Sequence, residues 1–432
     1  MKTIFGIVLL CCCLFKLPAQ TSCNVKNFGA IGNGLIDDSK AIQSAIDSAA
    51  RCKNGQVYFP PGTYALSRAS NAKAGCLYLA NNSKLTTDSA NPARLILLPQ
   101  QPNFTRMVYV ERVQAVTIQN LVFDGNSQNQ AQNGKINEHL HAIYINEANE
   151  VSVSNCTFTH TGGDGIGIRG PGLHPSKNIN ITGCRFVATH RDAITLGSGF
   201  SNIKIANCIF DSTVHSSIHI EPESGITKNV VITNNQFIGC YNVSISGYDT
   251  LHPVSNVMVS NNTFKNTFLW CCRSQHVTVS NNEFTFTKPL STKGVINAIQ
   301  YNEALLIKKN KFHINGMYLL ALTSTTSQIK DVEVTANQIE TNFDLIKNVG
   351  CKQLKFNDNK VEIVSGLQLM DLTTNYPMKE IEVSGNAFSQ PIKWGPVKLI
   401  KQNKLSALKV KKNTGLAPVQ LSTINKTKPK TN

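Results

Sequence analysis

Apolar and polar residues alternate in short bursts along most of the chain, and each burst closes on one phrase, apolar-x-apolar-x-Asn/Gly-Cys/Asn-x-Phe. It reads VTIQNLVF (116–123), VSVSNCTF (151–158), INITGCRF (179–186), IKIANCIF (203–210), VVITNNQF (230–237), VMVSNNTF (257–264), VTVSNNEF (277–284) and LLIKKNKF (305–312). Looser copies follow at VEVTANQI (332–339), LKFNDNKV (354–361), IEVSGNAF (381–388) and VKLIKQNKL (397–405). The closing apolar positions recur mostly every 20 to 28 residues, a period that belongs to a solenoid. Alternation inside each copy predicts a short strand with one buried face. The Asn after it permits a left-handed bend, so the chain can turn a corner there.

Stacked parallel strands lie roughly 4.8 Å apart, so equivalent side chains fall into columns. One column is expected to run Cys156, Cys184, Cys208 and then Asn235, Asn262, Asn282, Asn310, Asn337, Asn359, Asn386 and Asn403, with the Asn hydrogen-bonded along the stack. The Cys part is expected to be buried packing, because thiols a whole coil apart do not close a tetrahedral metal site. Ahead of the repeats, Ile42, Ala45, Ile46 and Ala49 share one face of a short helix with Asp38 near its N-cap. Such a helix can cover the first coil.

Here a resemblance becomes specific. NFGAIGNGLIDDSKAIQSAID (27–47) and GQVYFPPGTY (55–64) resemble the opening of the pectate-lyase-like and rhamnogalacturonase/epimerase-like β-helix proteins. The resemblance implies that Asp37 and Asp38 belong to the cap and not to a catalytic pair. The expected fold is therefore all-β, a single-domain right-handed parallel β-helix of about 10–12 coils with a short N-terminal capping α-helix. Its expected divisions are a signal peptide (1–19), cap and first coils (20–110), repeats (111–414) and a basic disordered tail (415–432).

The signal peptide is read from Lys2, the apolar run Ile4 to Phe15, and Leu17-Pro18-Ala19. It implies a secreted or periplasmic protein, with lipidation at Cys23 as the lesser alternative. No later stretch reaches the roughly 18 apolar residues of a membrane span. The net charge is +16, of which Lys2 and Lys16 would leave with the signal, and suits an acidic polysaccharide partner. Nucleic acid is not expected, since no aromatic-plus-basic module is present. In an oxidising compartment one disulfide among Cys23, Cys52 and Cys76 is plausible.

Titratable residues are sparse in the repeats yet crowd residues 139–223. Aligning HAIYI (141–145), DGIGI (164–168), DAITL (192–196) and SSIHI (216–220) puts His141, Asp164 and Asp192 in one column. Arg191 and His215 share the preceding column, and His190 comes one residue earlier. Tyr144, Thr195 and His219 point outward, with Arg169 and Glu221 just beyond. Stacked carboxylates repel, so one of Asp164 and Asp192 can keep a proton as general acid while the other stays ionised. That is a hydrolase reading, with Asp164, Asp192, His215, Arg191 and His190 as catalytic candidates. His141, Tyr144, Arg169, His219, Glu221, Trp270 and Arg273 are the substrate-binding candidates, with Trp270 and Tyr248 placed to stack on sugar rings. Alternatively, Arg or His removes the proton α to a uronate carboxylate, as in a lyase or epimerase. A third reading is a non-catalytic glycan-binding or surface protein, favoured if the acids are locked to backbone groups. An Asp before Gly or Ala at a corner often bonds the local backbone.

Residues 162–237 are similar to the central coils of polygalacturonase-type glycoside hydrolases. GGDGIGI places Asp164 on the Asp of that family's first motif, HRDAITLGSG places Asp192 on one Asp of the second with Arg191 where the other should be, and TVHSSIHI places His215 on the His of the third. The family's Arg-Ile-Lys substrate motif has no match. IHIEPES (218–224) also resembles β-helix proteins of unassigned activity. No metal ligand set is expected. Calcium, common among the related lyases, is the cofactor to expect if the chain is a lyase, but no carboxylate cluster here is strong enough to assign it.

Overall fold

The computed structural model describes residues 22–418, apart from 53–54, 70–73, 131–138, 172–173, 226, 289–292, 325–328, 349, 365–366, 372–379 and 396–406. Residues 1–19, read as a signal peptide, and the tail from 419 onward lie outside the described residues.

Each coil carries up to three short strands, for example His141–Asn146, Asn149–Ser154 and Thr157–Thr159. The first two of each coil join a 25-stranded sheet and the third a 15-stranded sheet, with every pairing parallel between successive coils. The result is a β-solenoid of about 12 turns. Its corners are left-handed where the sequence placed Asn: Asn155, Asn207, Asn234, Asn261 and Asn281 have φ between 53° and 57°. Gly183 takes that corner on one coil (φ +64), where a Cβ would meet Asn155 Oδ1 at 2.3 Å.

The closing aromatic of the repeat forms the core. Phe123, Phe158, Phe186, Phe210, Phe237, Phe264, Phe284 and Phe312 are buried and stack with ring centroids 4.4–5.1 Å apart. Each such pair adds about 0.5–1.5 kcal/mol beyond the area it buries. The Asn column forms as expected. Asn262 Oδ1 accepts from the backbone N–H of Asn235 (2.8 Å) and from its amide (3.0 Å), while the Asn262 amide donates to Ile232 O (2.9 Å) and Asn282 Oδ1 (2.9 Å). Cys208 points its thiol at Ile181 O (3.7 Å), as Cys184 does at Val153 O (3.6 Å), so the sulfurs occupy amide positions with weaker bonds. At the C-terminal end the ladder differs from expectation. Asn403 lies outside the described residues, and Asn386 bonds instead to Asn413 Oδ1 (3.0 and 2.9 Å). The final coil, Ala407–Lys411 and Thr414–Leu416, therefore runs past the end expected at 414.

The cap helix spans Ser39–Ala50 and buries Ile42, Ala45, Ile46 and Ala49 against the first coils. Asp38 holds the N-cap position without capping. Its carboxylate accepts from the N–H of Ile31 (2.6 Å) and Gly32 (3.1 Å), and Asp37 accepts from Ser39 N (3.0 Å) in its place. Both acids are structural, as the resemblance implied. Cys23, Cys52 and Cys76 are all free thiols, so no disulfide forms among them. Among the described residues no helix is long and apolar enough to cross a membrane.

Candidate functional site

The charged cluster lies on the first face of the coils, on strands His141–Asn146, Ile166–Arg169, Ile194–Leu196 and Ser216–Ile220. Their register is Ile143↔Ile166, Ile166↔Ile194 and Ile194↔Ile218, which sets His141, Asp164, Asp192 and Ser216 side by side on successive coils. One outward row runs Tyr78, Tyr109, Tyr144, Gly167, Thr195, His219, Ser244, Trp270.

Asp192 is 0% exposed and accepts four hydrogen bonds: from His215 Nδ1 (2.6 Å), Ser216 N (2.9 Å), His219 Nδ1 (3.1 Å) and Thr195 Oγ1 (3.2 Å). Burial alone would raise its pKa, but the bonds from the two imidazoles outweigh it and hold the carboxyl well below the usual range. An ionised carboxylate only accepts, so both Nδ1 atoms carry hydrogen, and Nε2 is the ring atom that can gain or lose a proton. The same carboxylate raises the pKa of His215.

Asp164 is 2% exposed. Arg191 clamps it with Nη1 at 3.0 and 3.1 Å from the two oxygens and gives Nη2 to Glu221 at 2.7 Å. Burial pushes the Asp164 carboxyl up to about 7, against the pull of Arg191. His141 accepts the Asp164 backbone N–H at Nδ1 (2.8 Å). Its pKa falls well below 6.5 through burial and the nearby Arg106 and Arg191, so it is a neutral ring with its proton on Nε2. The Tyr144 ring leans over Gly167, where a Cβ would meet Cδ2 at 3.1 Å and Asp164 Oδ2 at 3.8 Å.

Of the residues singled out in the sequence, His141, Asp164, Arg191, Asp192, His215, His219 and Glu221 come together in this cluster, and three positions differ from expectation. His190 is exposed and takes no part in the carboxylate network, because the chain turns at Ala188 (φ 52) and only Arg191 and Asp192 point into it. Arg273 sits at a corner (φ 48) two coils from Glu221. Trp270 is on the outward row and packs against Tyr241 and Lys293, whereas Tyr248 is exposed on a loop beside His252, off that row. Arg106, Tyr109 and Tyr78 were missed. Arg106 is buried in the His141 column, with its guanidinium 4.6 Å from the Tyr144 ring centre. RMVYVE (106–111) carries the same outward aromatic as HAIYIN, and that alternation was the available signal.

Asp192, His215 and His219 bring three donor atoms within 4.8 Å of one another, a nitrogen-rich set that suits zinc-like ions better than calcium. Both Nδ1 atoms are already spent on Asp192, so the set as it stands serves hydrogen bonding. A groove of about 700 Å³ opens elsewhere, on the third face of later coils between Phe286, Ile314, Val364 and Phe388. It includes no residue of the cluster.

The family model described as right handed beta helix region matches residues 106–284, and that described as rhamnogalacturonase A/epimerase, pectate lyase-like matches residues 22–95. The chain is a pectate-lyase-like right-handed parallel β-helix. This β-helix is 36% identical over 110 residues to mannuronan C5-epimerase AlgE6 of Azotobacter vinelandii, covering 24% of this chain and 13% of that protein. Structurally it is similar to the AlgE6 A-module at TM-score 0.59, with 18% identity and coverage of 92% and 100%. The catalytic unit of an α-1,3-glucanase from Streptomyces thermodiastaticus gives TM-score 0.66 at 14% identity, covering 86% and 69%. Plasmin and fibronectin-binding protein A of Streptococcus pneumoniae is 25% identical over 410 residues, covering 79% of this chain and 53% of that protein. The β-helix thus spans only a small part of the curated epimerase, and the structural likenesses speak for the fold.

Proposed function

We propose that the chain is a secreted enzyme that acts on an acidic polysaccharide by proton transfer at C5 of a uronate, the chemistry of a lyase or epimerase. The observation that carries this reading is the Asp192 carboxylate, shut away from solvent and holding two imidazoles by Nδ1. Their Nε2 atoms are left free of that carboxylate to exchange protons, in the way a buried Asp orients a catalytic His. Neutralising the substrate carboxylate acidifies the C5 proton, and Arg169, whose side chain lies over Gly197 on the coil before His219, is the cation for that task. His215 and His219 belong to one wall, with ring centres 5.4 Å apart. One, as the neutral ring, can take the C5 proton at Nε2 while the other, as imidazolium, gives its Nε2 proton to the leaving O4 on the same side of the sugar, so β-elimination is the outcome this arrangement favours over inversion at C5.

The hydrolase reading retains one supporting observation: Asp164 up at about 7 beside an ionised Asp192 is a proton-carrying and a proton-free carboxyl on adjacent coils. Against it stands their burial, since a general acid or base must reach the glycosidic oxygen or a water. Incubation with a panel of acidic polysaccharides, reading unsaturated uronate absorbance and reducing ends together, separates the two. Absorbance that disappears in His219→Gln supports the elimination. Reducing ends without absorbance, lost in Asp164→Asn, would replace it with hydrolysis, and silence on every substrate would favour a glycan-binding role.

A further inference from the structure

Arg169 ends the strand Ile166–Arg169, and the register Ile168↔Leu196↔Ile220 makes Arg169, Gly197 and Glu221 successive outward positions. They flank the row Gly167, Thr195, His219. The Arg169 side chain lies down on the bare backbone of the next coil: a Cβ at Gly197 would meet its Cγ at 2.9 Å, Nε at 3.0 Å and Cζ at 3.1 Å. Gly197 therefore provides a seat that brings the guanidinium within a coil of His219. The other arginines of the patch are committed, with Arg191 bonded to Asp164 and Glu221 and Arg106 buried against the Tyr144 ring. Arg169 has a looser partner, Glu223 Oε1 at 3.4 Å, with side chains 26% and 73% exposed. That carboxylate is presented by a pinned loop, for the N–H groups of Glu223 and Ser224 both donate to the buried Ser198 Oγ (2.8 and 3.1 Å).

We infer that Arg169 reads the carboxylate of a uronate substrate and that Glu223 fills its place in the free protein as an internal stand-in. The inference rests on the polysaccharide reading above. An exposed ion pair at this distance contributes little, whereas a guanidinium can take a sugar carboxylate through two parallel hydrogen bonds. Substrate binding then exchanges one carboxylate for another on the same cation. No net desolvated charge is created, and a neutral glycan has nothing with which to displace Glu223. The pair thereby selects acidic chains.

The test is binding of oligomannuronate, oligoguluronate and oligogalacturonate, each beside its carboxyl-reduced neutral counterpart, to the intact chain and to Glu223→Gln, Arg169→Gln and the double variant. Glu223→Gln is expected to tighten oligouronate binding by about threefold to fivefold, the weight of an exposed pair. Arg169→Gln should weaken it by about tenfold or more, and the double variant should match Arg169→Gln. The neutral oligomers should register neither change. A gain that persists in the double variant would reduce Glu223 to general repulsion of polyanions and overturn the inference, as would an unchanged or weaker Glu223→Gln. If the unsubstituted chain binds no oligouronate, the polysaccharide reading itself fails. Both residues are surface-exposed enough that thermal midpoints should be unchanged, which guards against a folding defect.

Discussion

His215 Nδ1 lies 2.6 Å from Asp192 Oδ1, an accessible imidazole (53% side-chain exposure) fastened to a carboxylate that solvent does not reach. Stabilising the imidazolium in this way places the His215 pKa above its usual 6.5, the Asp192 hydrogen bond being the main cause. In Asp192→Asn the charge is gone while the shape is nearly kept. The His215 titration followed by NMR should move down to 6.5 or below. An unmoved midpoint would mean that Asp192 does not govern this imidazole.

Asp164 makes the opposite demand on folding. Its carboxyl is raised to about 7 in the folded chain and has its ordinary 3.8 when unfolded. Between those values the native state holds a proton that the unfolded state has released, so stability falls as pH rises from about 4 to about 7 and levels off above. Asp192, depressed by its imidazoles, contributes stability that is present above 3.8 and is lost only as pH drops toward its lowered value. Replacing Asp164 with Asn should therefore flatten the decline of thermal midpoint between pH 4 and 7. Curves of chain and variant that stay parallel across that window would contradict the shift.

The fold was legible because its repeat is written in residue types with one physical job each: Phe to stack, Asn to turn left-handed and to bond along the column. The cluster was legible for a related reason, since charged residues are costly in such strands and their crowding at 139–223 stands out. What escaped was side-chain direction. His190 and Arg191 are neighbours, yet only Arg191 turns to Asp164 and Glu221. The Tyr144 ring leans over Gly167 because Gly167 has no side chain, a fact about space that strand alternation does not encode. A second ladder, in which the amides of Asn178, Asn202, Asn229 and Asn256 each bond the preceding coil, stands one residue before four copies of the repeat and carries the same spacing, so its signal was in the sequence.

The buried ladder can be tested through unequal rungs. Asn282→Ala would leave the Asn262 backbone N–H and one Asn262 amide hydrogen without their acceptor in a buried column, and would take one donor from Val259 O. It should cost about 3 kcal/mol or more, since each such orphan carries a penalty of its own. Cys184→Ala removes only a weak thiol contact and a small volume, about 1 kcal/mol. Urea unfolding of the two variants should rank them in that order, and equal losses would show that the Asn column adds nothing beyond packing.

The division of labour within the patch predicts the pattern of activity loss. If the imidazoles move protons, His219→Gln and His215→Gln should each lower turnover by about 10²–10⁴, the range for removing a general acid or base. Asp192→Asn should fall in the same range, because it frees both rings from their fixed Nδ1–H orientation. Asp164→Asn should cost much less, because Asp164 is buried against Arg191 and His141 and not on the solvent side where sugar must lie. Initial rates on whichever acidic polysaccharide is turned over check the order. Asp164→Asn losing as much as the imidazole variants would move the proton carrier inward to the carboxylates and restore the hydrolytic pair.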